Sequence, residues 1–277
     1  MSLLWINGVL TDKAAARVSP FDHGFLYGDG VWEPLRVFAG RPFRPADHAR
    51  QLFAAAAALG IDIPLSQPEL IAAVEATIRA NDRTAGYVRA IVTRGPGTIG
   101  PDPRKLDPQV IVTAEEYLPF PPVLAGHGLH VVAAPVRVDS ANPAHAVRAL
   151  GQPHVALAKR HALRHGCLDA LLLDAAGHVA GTTEGNVFLV RGGAAVPLVN
   201  FPEDVAGRVV RELAGDAAPE RRTPAELSAA DEVFLAGTAC GVIALVRIDG
   251  TDIGTGTEGP VTRRIRDGFR ALTRGGE

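Results

Sequence analysis

Lysine is nearly missing from this chain: Lys13, Lys105 and Lys159 are its only three, and the rest of its 28 basic residues are arginine. A side-chain amine able to attack a carbonyl therefore has very few places to come from. Cysteine is as scarce, with Cys167 and Cys240 alone, which excludes a disulfide framework and suits a reducing compartment. A formal net charge of -2 gives no electrostatic reason to expect nucleic acid or an anionic membrane as partner. No stretch approaches the roughly 18 consecutive apolar residues of a membrane span. The opening Met-Ser-Leu-Leu-Trp-Ile-Asn-Gly lacks the basic and long apolar regions of a secretory signal. These absences together point to a cytoplasmic protein.

What is present is ordinary for a soluble chain: 47% hydrophobic and 21% charged residues over 277 positions, enough for two modest domains with cores of their own. Leu3 to Leu10 alternates around Asn7-Gly8, a hairpin signal, and Val31 to Phe38 reads as a strand. Asp47 is expected to cap a helix from His48 to Leu59, and Ser66-x-x-Glu69 is a capping box for the next. Strands follow at Tyr87–Thr93 and Val110–Ala114, with a Gly- and Pro-rich loop between them. Tyr117-Leu-Pro-Phe-Pro-Pro122 reads as a linker, which divides the chain into residues 1–117, a connection at 118–127, and residues 128–277. In the later part come a strand at Leu129–Val138, a helix ending at His165-Gly166, the strand Asp169–Asp174, and Gly181-Thr-Thr-Glu-Gly-Asn186-Val-Phe. A helix follows Asp204-Val-Ala-Gly, Thr223-Pro-Ala-Glu226 is a second capping box, and Gly237-Thr-Ala-Cys-Gly241 is a glycine-bounded turn. Gly28-Asp-Gly30 opens a strand, so it is not a dinucleotide fingerprint. His161 and His165 have a metal-compatible spacing, but Arg160 and Arg164 beside them mark a solvated basic face, and no metal is expected.

From Tyr27-Gly-Asp-Gly-Val-Trp-Glu33, through the stretch Arg148 to Phe188, to Gly237-Thr238-Ala239, this order resembles the fold-type-IV pyridoxal-phosphate (PLP) enzymes. That family comprises the class-IV aminotransferases for branched-chain and D-amino acids and aminodeoxychorismate lyase. The resemblance runs from about residue 3 to residue 273. It implies an α+β (α/β) protein with a small N-terminal α/β domain and a larger, β-barrel-like C-terminal domain with helices. It also implies a homodimer, or a partner of an active paralogue.

Where the family carries its Schiff-base lysine, eleven residues before the Ala158-Lys159 pair, this chain has Arg148. A guanidinium stays protonated and does not exchange an imine. The family's phosphate arginine falls on Gln51, its pyridine-partner glutamate on Gly181, and its phosphate-binding helix start on Asp204-Val-Ala-Gly. An N-terminal carboxylate satisfies those helix amides itself and repels phosphate. The expectation is therefore a chain without cofactor: a PLP-independent lyase, isomerase, cyclase or hydrolase on a small anionic metabolite held in the old cofactor pocket. Arg148, Tyr27, His154 and Cys240 are its candidate catalytic residues, with Cys240 a nucleophile only if backbone amides lower its pKa. Arg36, Arg89, Gln51, Thr238, Ala239 and Glu184 are candidates for substrate binding. Two alternatives stand beside it: a PLP-dependent aminotransferase or lyase holding its cofactor without a covalent link, and a non-catalytic binding or partner subunit.

Overall fold

A computed structural model describes residues 2–275 apart from Lys105, Ser140, Phe201 and Asp216. Its contacts divide the chain into two units, the first built from residues 2–117 together with 146–152, the second from 118–145 and 153–275. The expected linker thus begins unit 2, and a short segment from the later half of the chain belongs to unit 1.

Unit 1 contains β1 (Leu3–Ile6), β2 (Val9–Asp12), α1 (His23–Tyr27), β3 (Gly30–Phe38), β4 (Arg41–Pro42), α2 (Pro45–Ala58), α3 (Gln67–Ala80), β5 (Gly86–Thr93) and β6 (Gln109–Glu115). The strands form one sheet in the order β2-β1-β6-β5-β3-β4, with α2 and α3 packed against it. Asn7 and Gly8 both take positive φ between β1 and β2, the conformation a two-residue hairpin demands. Along β3 the side chains alternate. Val31, Glu33, Leu35 and Val37 are buried on the helix side, while Trp32, Arg36 and Phe38 are half-buried on the other. Leu52 of α2 and Val74 and Ile78 of α3 close that core, each such fully buried side chain contributing roughly 1.5–3 kcal/mol. Helix α2 starts earlier than expected. Arg44 in a left-handed conformation precedes Pro45 at the first helical position, so Asp47 lies in the first turn and does not cap. The Ser66 capping box of α3 forms as read.

Unit 2 contains α4 (Leu124–His127), β7 (Leu129–Val138), α5 (Pro143–Ala146), α6 (Pro153–Arg164), β8 (Asp169–Asp174), β9 (Val179–Thr182), β10 (Asn186–Arg191), β11 (Ala194–Pro197), α7 (Val205–Ala214), α8 (Pro224–Ser228), β12 (Glu232–Gly237), β13 (Gly241–Ile248), β14 (Thr251–Asp252) and α9 (Pro260–Gly275). Its strands make an eight-stranded mixed sheet, β11-β10-β12-β13-β7-β8-β9 with β14 beside β13, curled as a half-barrel. Strands β8, β10 and β12 are buried nearly end to end, which explains their continuous apolar sequences. Helix α6 packs on β7 and β8 through Ala158 and Ala162, both fully buried.

Candidate functional site

Five candidates lie in unit 1: Tyr27, Arg36, Gln51, Arg89 and Arg148. The position of Arg148 is set by backbone pairing. Residues 147–151 run along the open edge of β3, where Trp32 N–H donates to the Arg148 carbonyl at 2.9 Å and Leu150 N–H to Gly30 at 2.9 Å, with a bridge between Val31 and Ala149. The approach is close enough that a Cβ on Gly28 would stand 2.6 Å from the Gly151 Cα, and Gly28 also holds φ +68°. Only glycine fits there.

The Arg148 side chain is 14% exposed, and its Nε lies 3.7 Å from Oε2 of Glu33, which is 2% exposed. The other oxygen of Glu33 is 2.7 Å from Nδ1 of His48, on α2 and likewise buried. The Arg148 guanidinium stands 5.3 Å from the centre of the Trp32 ring, and that of Arg89 stands 4.1 Å from the same centre. Cations over an indole face are held by its quadrupole. Arg36 donates to the Tyr117 carbonyl at 3.0 Å and stacks on Phe38. The Tyr27 hydroxyl accepts from Gly100 N–H at 2.7 Å, and its ring meets His23 edge-on. Gln51 is half-buried one helical turn beyond His48.

The other five lie in unit 2: His154, Glu184, Thr238, Ala239 and Cys240. Lys159 Nζ donates to Glu184 Oε1 at 3.1 Å and stands over the Phe120 ring, so the glutamate expected to bind substrate is paired with the lysine of α6. Next to them, Asp169 is fully buried. Its Oδ1 accepts from the Thr183 backbone and hydroxyl, and its Oδ2 has no hydrogen-bond partner among the described residues. Burial pushes the Asp169 carboxyl up to about 6, against the opposing pull of the Thr183 hydroxyl and the Lys159 charge.

At the start of α7, Asp204 caps the helix as expected. Its carboxylate accepts from Ala206 N–H at 3.0 Å, Thr238 N–H at 3.2 Å and the Thr238 hydroxyl at 2.6 Å. Ala239 is half-buried in the turn beside Thr238. Cys240 does not meet the condition set for a nucleophile: burial, then the charges of Glu184, Asp169 and Asp204, push its thiol well above the usual value. His154 packs on His145 with ring centres 4.8 Å apart, and burial followed by the His145 charge lowers its pKa. Gly181 holds φ +136°, which a glutamate would adopt only with strain. Of the three lysines, Lys13 pairs with Glu115 at the surface and Lys105 lies outside the described residues.

Sequence reasoning misses Glu33 as the partner of Arg148, His48 as the partner of Glu33, and Asp169 altogether. Glu33 is detectable as a charge at an inward position of an alternating strand. Asp169 gives no such signal, because its burial comes from the sheet around it.

The sequence model of the amino-transferase class IV family matches residues 30–248. A putative branched-chain-amino-acid aminotransferase of Methanocaldococcus jannaschii is 36% identical over 97% of this chain and 96% of its own length. A D-alanine aminotransferase of Staphylococcus haemolyticus is 28% identical over 97% of each. A crystal structure of the T.th. branched-chain amino acid aminotransferase with pyridoxamine 5'-phosphate matches with a TM-score of 0.93 at 29% identity, over 100% of this chain and 95% of that one. These likenesses overturn the expectation of a chain without cofactor, since the protein it matches from end to end carries the phosphopyridoxyl group. Such a group is held by a frame of many contacts that belongs to the fold, and four counted side chains do not decide whether it binds.

Proposed function

Because the chain belongs to the amino-transferase class IV family, we propose that it is an aminotransferase-type enzyme working with a PLP group on a small anionic amino or 2-oxo acid. The observation that carries this reading is the end-to-end likeness to an aminotransferase holding pyridoxamine 5'-phosphate. When bound, the group supplies the electron sink for carbanion chemistry.

The donor set decides how the group is held. Residue 148 fits it as a positive charge and not as an imine-forming anchor. In unit 2 the N–H groups of Ala206 and Thr238 and the Thr238 hydroxyl converge on one oxyanion, which in this structure is the Asp204 carboxylate. A phosphate would reach these donors only with the Asp204 carboxylate turned away from them. These residues fit a cofactor held without a covalent link. Arg89, exposed and stacked on Trp32, is the residue assigned to the substrate carboxylate, with Arg36 beside it on the same face of the sheet. Tyr27 and His154 are the side chains assigned to proton movement. The reading carries with it a homodimeric, cytoplasmic protein.

The test is a titration of the purified protein with PLP, followed by an assay of amino transfer from branched-chain amino acids or D-alanine to 2-oxoglutarate. Turnover that depends on added PLP supports the reading. A protein that neither shifts the absorption of PLP nor transfers an amino group sinks it.

A further inference from the structure

Helix α6 ends on a pair of histidines. His161 stands in its last turn and His165 directly after it, where Gly166 at φ +70° and a bond from Cys167 N–H to the Ala162 carbonyl at 3.0 Å close the helix. That closure holds His165 one turn beyond His161, and the two rings meet with their centres 4.2 Å apart. Nδ1 of His165 lies 2.9 Å from the His161 carbonyl. A carbonyl only accepts, so Nδ1 carries the proton of the neutral ring and Nε2 keeps the lone pair. Metal-binding imidazoles are oriented in this way, by a backbone carbonyl on the other nitrogen. The His161 ring makes no hydrogen bond to another described residue. Arg160 and Arg164 are exposed, each about 100° round the helix from the histidine next to it, so water screens their charge. The carbonyls that end the helix carry the negative pole of its dipole, which favours a cation there.

We infer that His161 and His165 form a two-point site for a late first-row divalent cation, Cu2+ before Ni2+ and Zn2+, with water completing the coordination. An imidazole nitrogen binds such an ion at about 2.0–2.1 Å, so two nitrogens on one ion lie roughly 3 Å apart. Rings with centres 4.2 Å apart reach that separation by rotating about their side-chain bonds. No third His, Cys, Asp or Glu joins them among the described residues, so the site is open and exchanges its ion. The ion ties the last turn of α6 to the residue that closes it. The site lies within unit 2 and stands whether or not amino transfer is found.

The test is a calorimetric titration of the chelator-treated protein with Cu2+ alone at about pH 7.5, where imidazoles are largely neutral. One equivalent is expected to bind first, with an electron-spin resonance spectrum that shows two imidazole nitrogens. H161A and H165A are each expected to weaken that equivalent about tenfold or more, because one-point binding replaces two-point binding. H127A removes an exposed histidine elsewhere in unit 2 and is expected to leave it unchanged. Should an alanine variant fail to fold, paramagnetic broadening of histidine ring signals by less than one equivalent of Cu2+ locates the ion in the unaltered protein. Broadening centred on His161 and His165 supports the site. The inference is overturned if binding does not saturate, if the broadening falls first on other histidines such as His145 and His154, or if both variants bind within twofold of their parent.

Discussion

At the level of single residues, the position that counting finds and the contact that counting cannot find are adjacent. Arg148 is located because spacing inside a turn and helix is rigid enough to count along. Its partner Glu33 comes from the far end of the chain, and no local pattern joins them. R148K places an amine at the counted position while retaining the charge beside Glu33. Borohydride treatment with PLP is therefore expected to label residue 148 in R148K and not in the parent, as read by peptide mass. R148Q leaves Glu33 buried without that cation, and a loss of roughly 3 kcal/mol in unfolding free energy is expected.

Asp169 gives a prediction in pH. Its folded pKa, about 6, lies above its ordinary value of 3.8, so the folded state holds the proton more tightly. The resulting stability is present below about pH 4 and is lost as pH rises through about 6. Substitution by asparagine removes that dependence. The unfolding free energy of D169N relative to the parent is expected to rise between about pH 4 and pH 6 and to level off above that, by on the order of 3 kcal/mol at most. A flat difference across that range contradicts the assignment.

At the level of elements, most of the structure is readable because caps and turns are local chemistry. Ser66 and Thr223 each close a capping box three residues deep, and Asn7-Gly8 turns the first hairpin. The start of α2 departs from its sequence reading because Asp47 resembles a cap, whereas Pro45 in fact fixes the first turn. The cap of α7 is legible, but its reach is not: Asp204 also takes both donors of Thr238, a contact across the sheet. D204A is expected to cost about 1–2 kcal/mol as a lost cap. It also frees three donors, so inorganic phosphate should raise the thermal midpoint of D204A more than that of the parent. At the edge of β3, G28A meets Gly151 and a left-handed φ, and it should loosen residues 147–151, seen as faster amide exchange there than in the parent.

For the whole molecule, the class of fold follows from the order of strands and helices, and no helix among the described residues is long and apolar enough to cross a membrane. Burial at the surface is not readable in the same way. Phe21, Phe25 and Ile99 are 50%, 73% and 80% exposed, and Gly97 N–H donates to the Phe21 carbonyl, so exposed apolar side chains stand at α1 and in the loop after β5. The homodimer proposed above is the expected cover. Sedimentation should give about twice the 29.0 kDa chain mass, and F25D should shift it toward one chain.

The membership of residues 146–152 in unit 1 bears on how the protein is made. A ribosome that has just delivered Tyr117 has supplied every strand of the first sheet, but Glu33 must wait beside His48 until Arg148 emerges. Until β7 and α5 have been translated, Glu33 thus has His48 beside it without Arg148.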